Sequence, residues 1–431
     1  MKNYSPWAYI PSLYFLEGLP YVLINVVSAA LYTKLGIPND VFAFWTGFLY
    51  LPWTLKMFWS PLVDSHSTKR RWLLGGQFLA AAVFAFTALS LSWDSFFTAS
   101  LLGFAVGAFV SATCDIATDG YYMLALTPKQ QGSFVGIRTI FYRLAMIFGG
   151  GTLLMFIGYL ETHTSKTVLS WQLGFGLIAI LFLLGATYHA WGLPRPIHDK
   201  PALSKQGNIP FLESFKTYFS QKNILYILLF VLLYRLGDAL LEKIITPFLI
   251  GTPQSGALGI STAQLGFIKG TLGLGAIIAG NLAGGWFLGR YGFKKCIWPF
   301  AVILILPNFF YAYMAWAKPE IYTVAALITL EHLGNGLAMM AFSVFIMYIS
   351  QGPYKTSHYA ISTGIMALGM MIPSMLSGKI QTALGYEHFF LLSAFLSLIT
   401  LAIIPFIFKI KSLEETEKLF RQHNPQLGDA D

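Results

Sequence analysis

The chain has 431 residues, of which 56% are hydrophobic, 16% aromatic and only 11% charged, and its mean hydropathy is +0.62. Soluble globular chains carry about 25% charged residues, so this composition excludes an ordinary soluble domain. The net charge of +9 is read as loop charge that sets membrane topology, not as a nucleic-acid surface, and no nucleic-acid partner is expected. Apolar stretches of about 20 residues, enough to cross a bilayer, recur along the chain. They are continuous instead of alternating, which favours membrane helices over a barrel.

Taken in chain order, twelve spans are expected at 7–32, 41–63, 72–92, 95–125, 133–158, 169–192, 223–249, 262–288, 295–316, 320–349, 357–381 and 385–408. A polar stretch with Pro194, Pro196, Pro201, Ser204, Lys205 and Gly207 divides them six and six. The resulting organisation is an N-terminal six-helix half (1–192), a cytoplasmic linker (193–222), a C-terminal six-helix half (223–411) and a cytoplasmic tail (412–431). With the N-terminus inside, the outer loops hold only Lys34, Lys166 and Lys318, while basic residues crowd the inner ones. This satisfies the positive-inside rule with both termini cytoplasmic. Cys114 and Cys296 offer neither metal spacing nor a compelling disulfide.

Charge inside a span is costly, so its placement is informative. Span 1 carries Glu17, span 2 Lys56, span 4 Asp115 and Asp119, and span 5 Arg143. Span 7 carries Arg235 and Asp238, span 8 Lys269 and span 10 Glu331, whereas the interiors of spans 3, 6, 9 and 12 carry none. Helical spacing puts Tyr14, Glu17, Tyr21 and Asn25 on one face of span 1, and Asp115 with Asp119 on one face of span 4. Arg235, Asp238 and Glu242 share a face of span 7, and Glu331 and Asn335 share one of span 10. Arg143 paired with Asp115 or Asp119, and Arg235 paired with Asp238, stand as structural alternatives to solute-binding roles for these cations. No GxxxxGK[ST], HExxH or His/Cys metal cluster occurs. No enzymatic activity and no cofactor is therefore expected; energy comes from an ion gradient or the solute's own.

Ser60-Pro61-Leu62-Val63-Asp64 followed by Lys69-Arg70-Arg71, and Gly284 to Lys295 at the matching place in the second half, resemble the loop signature of the major facilitator superfamily. On that resemblance Asp64, Arg70, Arg71, Arg290 and Lys294 are gating candidates. The strings Glu17-Gly18-Leu19-Pro20-Tyr21, Pro52-Trp53-Thr54-Leu55-Lys56, Asp115-Ile116-Ala117-Thr118-Asp119-Gly120-Tyr121-Tyr122 and Tyr142-Arg143 are more specific. They look like those of AmpG-type muropeptide permeases and the related acetyl-coenzyme A transporters. The resemblance implies the superfamily fold: an all-α protein with twelve helices in two six-helix halves around a midplane site.

It further implies a monomeric importer in the bacterial inner membrane, bringing in anhydromuropeptides (GlcNAc–anhydroMurNAc with or without peptide) for wall recycling on the proton gradient. The alternative is a carrier of the same fold for a siderophore or acetyl-coenzyme A. For a sugar-faced, anionic solute, Tyr14, Tyr21, Trp53, Tyr121 and Tyr234 are stacking candidates. Lys56, Arg143, Arg235 and Lys269, with Asp238 beside Arg235, are polar binding candidates. Asp119, Asp115, Glu17 and Glu331 are the proton-coupling candidates.

Overall fold

The computed structural model describes residues 5–200, 211–350 and 355–410. All regular structure among them is helical, as a bilayer demands when no water can satisfy a free backbone. The long helices are α1 (Pro6–Lys34), α3 (Lys69–Ser90), α4 (Phe96–Ala125), α6 (Thr167–Gly192), α7 (Ile224–Ile250), α8 (Thr262–Tyr291), α9 (Phe293–Ala317) and α10 (Ile321–Ile349). Helix α5 spans 128–164, and a last continuous helical run covers 355–397 before a turn and a final segment, Ile399–Ile407.

Ten helical stretches among the described residues are long and apolar enough to cross a membrane. Two local features reconcile ten with twelve. Gly385, at φ 74° and ψ 169°, is non-helical, so the last run is two spans, α11 (355–384) and α12 (386–407). The second span, α2 (39–66), is broken into Asn39–Gly47, Leu51–Leu55 and Ser60–His66, joined by tight three-residue helical turns. Pro52 and Pro61 each open one of the later segments. A proline lacks the N–H that an uninterrupted helix needs, yet fits a first turn.

The chain forms two compact units. The first comprises 1–38, 48–206 and 260–271. Here α1 lies close against α5 because Gly18 has no side chain: a Cβ there would sit 2.8 Å from the carbonyl oxygen of Tyr142 and 3.0 Å from Ala145 Cβ. Gly18→Ala is therefore expected to cost about 1–3 kcal/mol through overpacking, seen as a lower thermal midpoint of the detergent-solubilised protein. Residues 260–271 are anchored in this unit by Glu161, whose carboxylate accepts from Thr262 Oγ1 at 2.6 Å and from Trp171 Nε1 at 2.9 Å. Buried His189 on α6 lies between Gln77 Oε1 at 2.8 Å and Ser12 Oγ at 2.9 Å, tying α6 to α3 and α1.

The second unit comprises 39–47, 207–259 and 272–431. Its core is an aromatic and aliphatic cluster from α7, α9, α10 and α12, including Phe230, Tyr234, Phe300, Phe342 and Ile404. Two stretches of the expected linker, 193–200 and 211–222, lie among the described residues. Asp199 accepts from the backbone N–H groups of Lys69 and Arg70 at 2.7 and 3.0 Å, capping α3 with a carboxylate where the helix dipole favours one. At the other end a short helix, Phe211–Phe219, lies against α11 through Tyr218 Oη to Ser362 Oγ (2.9 Å) and Thr217 Oγ1 to His358 Nε2 (3.1 Å).

Candidate functional site

Each unit carries a cluster of intramembrane charge. In the first unit α1, α2, α4 and α5 contribute. Asp119 Oδ1 accepts from Tyr14 Oη at 2.9 Å and from Arg138 Nη1 at 3.0 Å. The Arg138 guanidinium also lies over the rings of Tyr14 and Tyr122, 5.5 and 5.0 Å from their centroids, a cation–π arrangement that favours the charge. One turn earlier on the same face of α4, Asp115 Oδ2 meets Lys56 Nζ at 3.2 Å. Glu17 sits beside both pairs, with Asp115, Asp119, Lys56 and Arg138 as its charged neighbours. Its Oε2 is enclosed and meets no hydrogen-bond donor among the described residues. Tyr21 stands edge-on to Trp53 at 5.4 Å and to Tyr50 at 6.3 Å.

The structural alternative that pairs Arg143 with Asp115 or Asp119 is not what the structure shows. Lys56 and Arg138 are the partners, while the Arg143 guanidinium lies 3.7 Å from Met146 Sδ. Five residues along a helix turn the side chain by about 140°, so Arg138 and Arg143 cannot address the same acid. Arg138, which is not among the site candidates read from the sequence, lies inside α5.

Tyr121 is fully buried and donates to the carbonyl of Pro194 at 2.8 Å. It belongs to the packing around Tyr9 and Leu193 and offers no open ring face. Lys269 lies in a π-helical stretch of α8, Gly266–Gly273. Matching stretches occur at Leu23–Val27 in α1 and Phe148–Thr152 in α5. Such bulges recur at functional places because they misalign the helical ladder and re-aim side chains.

In the second unit α7 is broken at Arg235, between the segments Ile224–Leu233 and Leu236–Leu241. Arg235 Nε donates to Asp238 Oδ2 at 3.3 Å; their side chains are 24% and 9% exposed. Glu331 and Glu242 are further acidic neighbours of Asp238. Glu331 accepts from Tyr311 Oη at 3.2 Å and from Asn335 Nδ2, and lies against His332. Tyr311 and His332 were not anticipated, and neither was Lys243 on α7, whose side chain is wholly enclosed. Tyr234 is 1% exposed and stacked on Phe342 at 5.4 Å, so it is core and presents no stacking face.

The gating candidates fall differently. Arg70 donates to the carbonyls of Ala190 and Leu193 at 2.6 and 3.3 Å, holding the end of α6 to the start of α3. Arg71 is exposed. The side chain of Asp64 lies outside the described residues. The expected loop from Gly289 to Lys295 is almost entirely helical. Arg290 lies in the last turn of α8 and Lys294 in the first turn of α9, and the turn between the two helices is Gly292 at φ 80°, a conformation only glycine adopts freely.

A charge cluster within each unit, among helices long and apolar enough to cross a membrane, is the make-up of a polytopic membrane transporter. The profile of the Major Facilitator Superfamily matches residues 12–347 and 235–427, and the chain belongs to that superfamily. It is 27% identical over 391 residues to the anhydromuropeptide permease of Escherichia coli (strain K12), covering 88% of this chain and 75% of that protein. A protein of Rickettsia conorii named as transporter AmpG 4 is 25% identical over 416 residues, covering 91% and 94%. Among solved structures, an inward-facing, unoccupied bacterial homologue of the human lysosomal transporter Spinster superposes with a TM-score of 0.73 at 14% identity. That match covers 97% of this chain and 99% of the other and is a likeness of fold. The chain is thus a multi-pass membrane protein of a transporter family, with a small molecule as its cargo.

Proposed function

We propose that this protein imports anhydromuropeptides across the bacterial inner membrane in symport with protons, with both termini in the cytoplasm. The observation that carries this reading is the similarity, over 88% of the chain, to an anhydromuropeptide permease. The site chemistry is compatible with it. A GlcNAc–anhydroMurNAc unit presents sugar faces and carboxylates. Tyr21 and Trp53 offer rings, and Lys56, Arg143 and Arg235 offer cations that bind carboxylate. Asp119, Asp115, Glu17 and Glu331 supply the acids for a proton cycle. A carboxylate paired with a cation can exchange that partner for a proton when the solute's own carboxylate claims the cation.

The test is uptake into proteoliposomes of purified protein, with and without an inward proton gradient. The panel comprises a muropeptide, free GlcNAc, a ferric siderophore and acetyl-coenzyme A. Muropeptide is expected to accumulate at least tenfold above equilibrium with the gradient and only to equilibrate without it. Accumulation of the siderophore or the thioester in its place would transfer the assignment to that solute.

A further inference from the structure

The α2–α3 turn begins α3 with three consecutive cations, and the structure disposes of them separately. Lys69 runs its methylenes over Gly120 of α4, within 3.4 Å of where a Cβ would stand. Arg70 is spent on the carbonyls of Ala190 and Leu193. The Arg71 guanidinium meets no partner among the described residues, and its side chain lines a groove of about 420 Å³ between α3 and α4. Ser67 and Trp72 stand with it at the mouth.

Beyond the mouth the groove runs from Arg71 to Leu79, about 12 Å along the helix. Its walls there are apolar, from Leu79, Phe109 and Val110, and its floor is Gly75 and Gly76. Thr113, its one hydroxyl away from the mouth, is already satisfied by Phe109 O at 2.8 Å and Trp59 Nε1 at 3.2 Å. Leu79 and Phe109 are 47% and 54% exposed, so the groove is open along its side.

We propose that this groove binds a phospholipid with an anionic headgroup, its phosphate on Arg71 and one acyl chain laid over Gly75 and Gly76. The chemistry selects this occupant. A side-open groove with apolar walls, on two helices long and apolar enough to cross a membrane, faces the hydrocarbon of the bilayer. Its mouth holds a guanidinium without a partner among the described residues, and a guanidinium pairs with phosphate in a fork of two hydrogen bonds. That mouth lies at the basic end of the span, where anionic lipid of the inner leaflet concentrates against Lys and Arg. A second copy of this chain fits worse. A two-fold interface through the groove would bring the Lys69–Arg71 stripe against its own copy.

The test is native mass spectrometry of the full-length protein released from mild detergent after titration with phosphatidylglycerol or phosphatidylethanolamine. Wild type is expected to retain one phosphatidylglycerol, at least tenfold in preference to phosphatidylethanolamine. Arg71→Gln should abolish that preference while the zwitterionic lipid still binds. Gly75→Leu should remove both lipids: a Cβ at position 75 meets nothing within 4 Å, so the longer side chain enters the groove without disturbing the protein. An unchanged thermal midpoint checks that fold. Should Gly75→Leu not fold, the headgroup preference in Arg71→Gln decides alone. Wild-type retention of phosphatidylglycerol by Gly75→Leu, or no headgroup preference in wild type, overturns the proposal. So does a wild-type dimer that Gly75→Leu makes monomeric, which would assign the groove to a second copy.

Discussion

Asp119→Asn is expected to abolish uphill uptake while leaving counterflow intact. Asp119 Oδ1 holds both Tyr14 and Arg138, and an asparagine Oδ1 can accept the same two hydrogen bonds. The geometry therefore survives and the charge does not. Asp119 is 51% exposed and Arg138 32%, so water screens the pair and its loss costs stability only on the order of 1 kcal/mol. A variant this close to wild type in fold isolates the proton step. If Asp119 gives up its proton to complete the cycle, accumulation against a gradient should fall at least tenfold. Exchange of labelled for unlabelled solute, which needs no net proton movement, should persist. Both are read in the same proteoliposomes. Wild-type accumulation in Asp119→Asn would remove Asp119 from the coupling path and leave Glu17, Asp115 and Glu331 as the acids to test.

How far the sequence carried this reading depends on whether a feature is local. Span boundaries are local, because a bilayer imposes length and hydropathy on each segment alone. The expected 95–125 and 320–349 correspond to Phe96–Ala125 and Ile321–Ile349. The i, i+4 face of Asp115 and Asp119 is local too, and both carboxylates do find cations. Which cations they find is not local. Lys56 and Asp115 are 59 residues apart, and Arg138 and Asp119 are 19 apart, so the choice between Arg138 and Arg143 rests on how α5 is rotated against α4. Gly18 sets the approach of that same α5 to α1, and a glycine in a span has many possible reasons. Tyr121 and Tyr234 failed as stacking candidates for a related cause. An aromatic on a helix gives no sign of which neighbour will cover it, and here Tyr9 and Phe342 do. The turn at Gly292 was legible only as a glycine among basic residues, because a single positive φ can replace the whole loop that such a string invites.

In the second unit the largest effect is expected at Arg235. Removing it alone leaves Asp238, whose side chain is 9% exposed, buried with Glu331 and Glu242 as its nearest acidic company. An uncompensated buried charge costs about 3–5 kcal/mol, so Arg235→Ala should express poorly and lose transport whatever Arg235 binds. The single variant therefore decides nothing. Arg235→Ala combined with Asp238→Ala takes out both charges, and replacing a buried pair by apolar side chains is close to neutral for folding. That double variant should return the thermal midpoint to near the wild-type value. Transport then separates two roles. A cation that only balances Asp238 is dispensable once Asp238 is gone, and muropeptide uptake recovers with it. A cation that binds the solute's carboxylate is not: affinity for the anionic muropeptide should drop at least tenfold, about 1.4 kcal/mol, while a neutral saccharide, if carried, loses little. Equilibrium binding of both solutes to the folded double variant distinguishes the two. Normal muropeptide affinity there would end the substrate role of Arg235, and leave the break in α7 at that residue as a feature of the helix and not of the binding site.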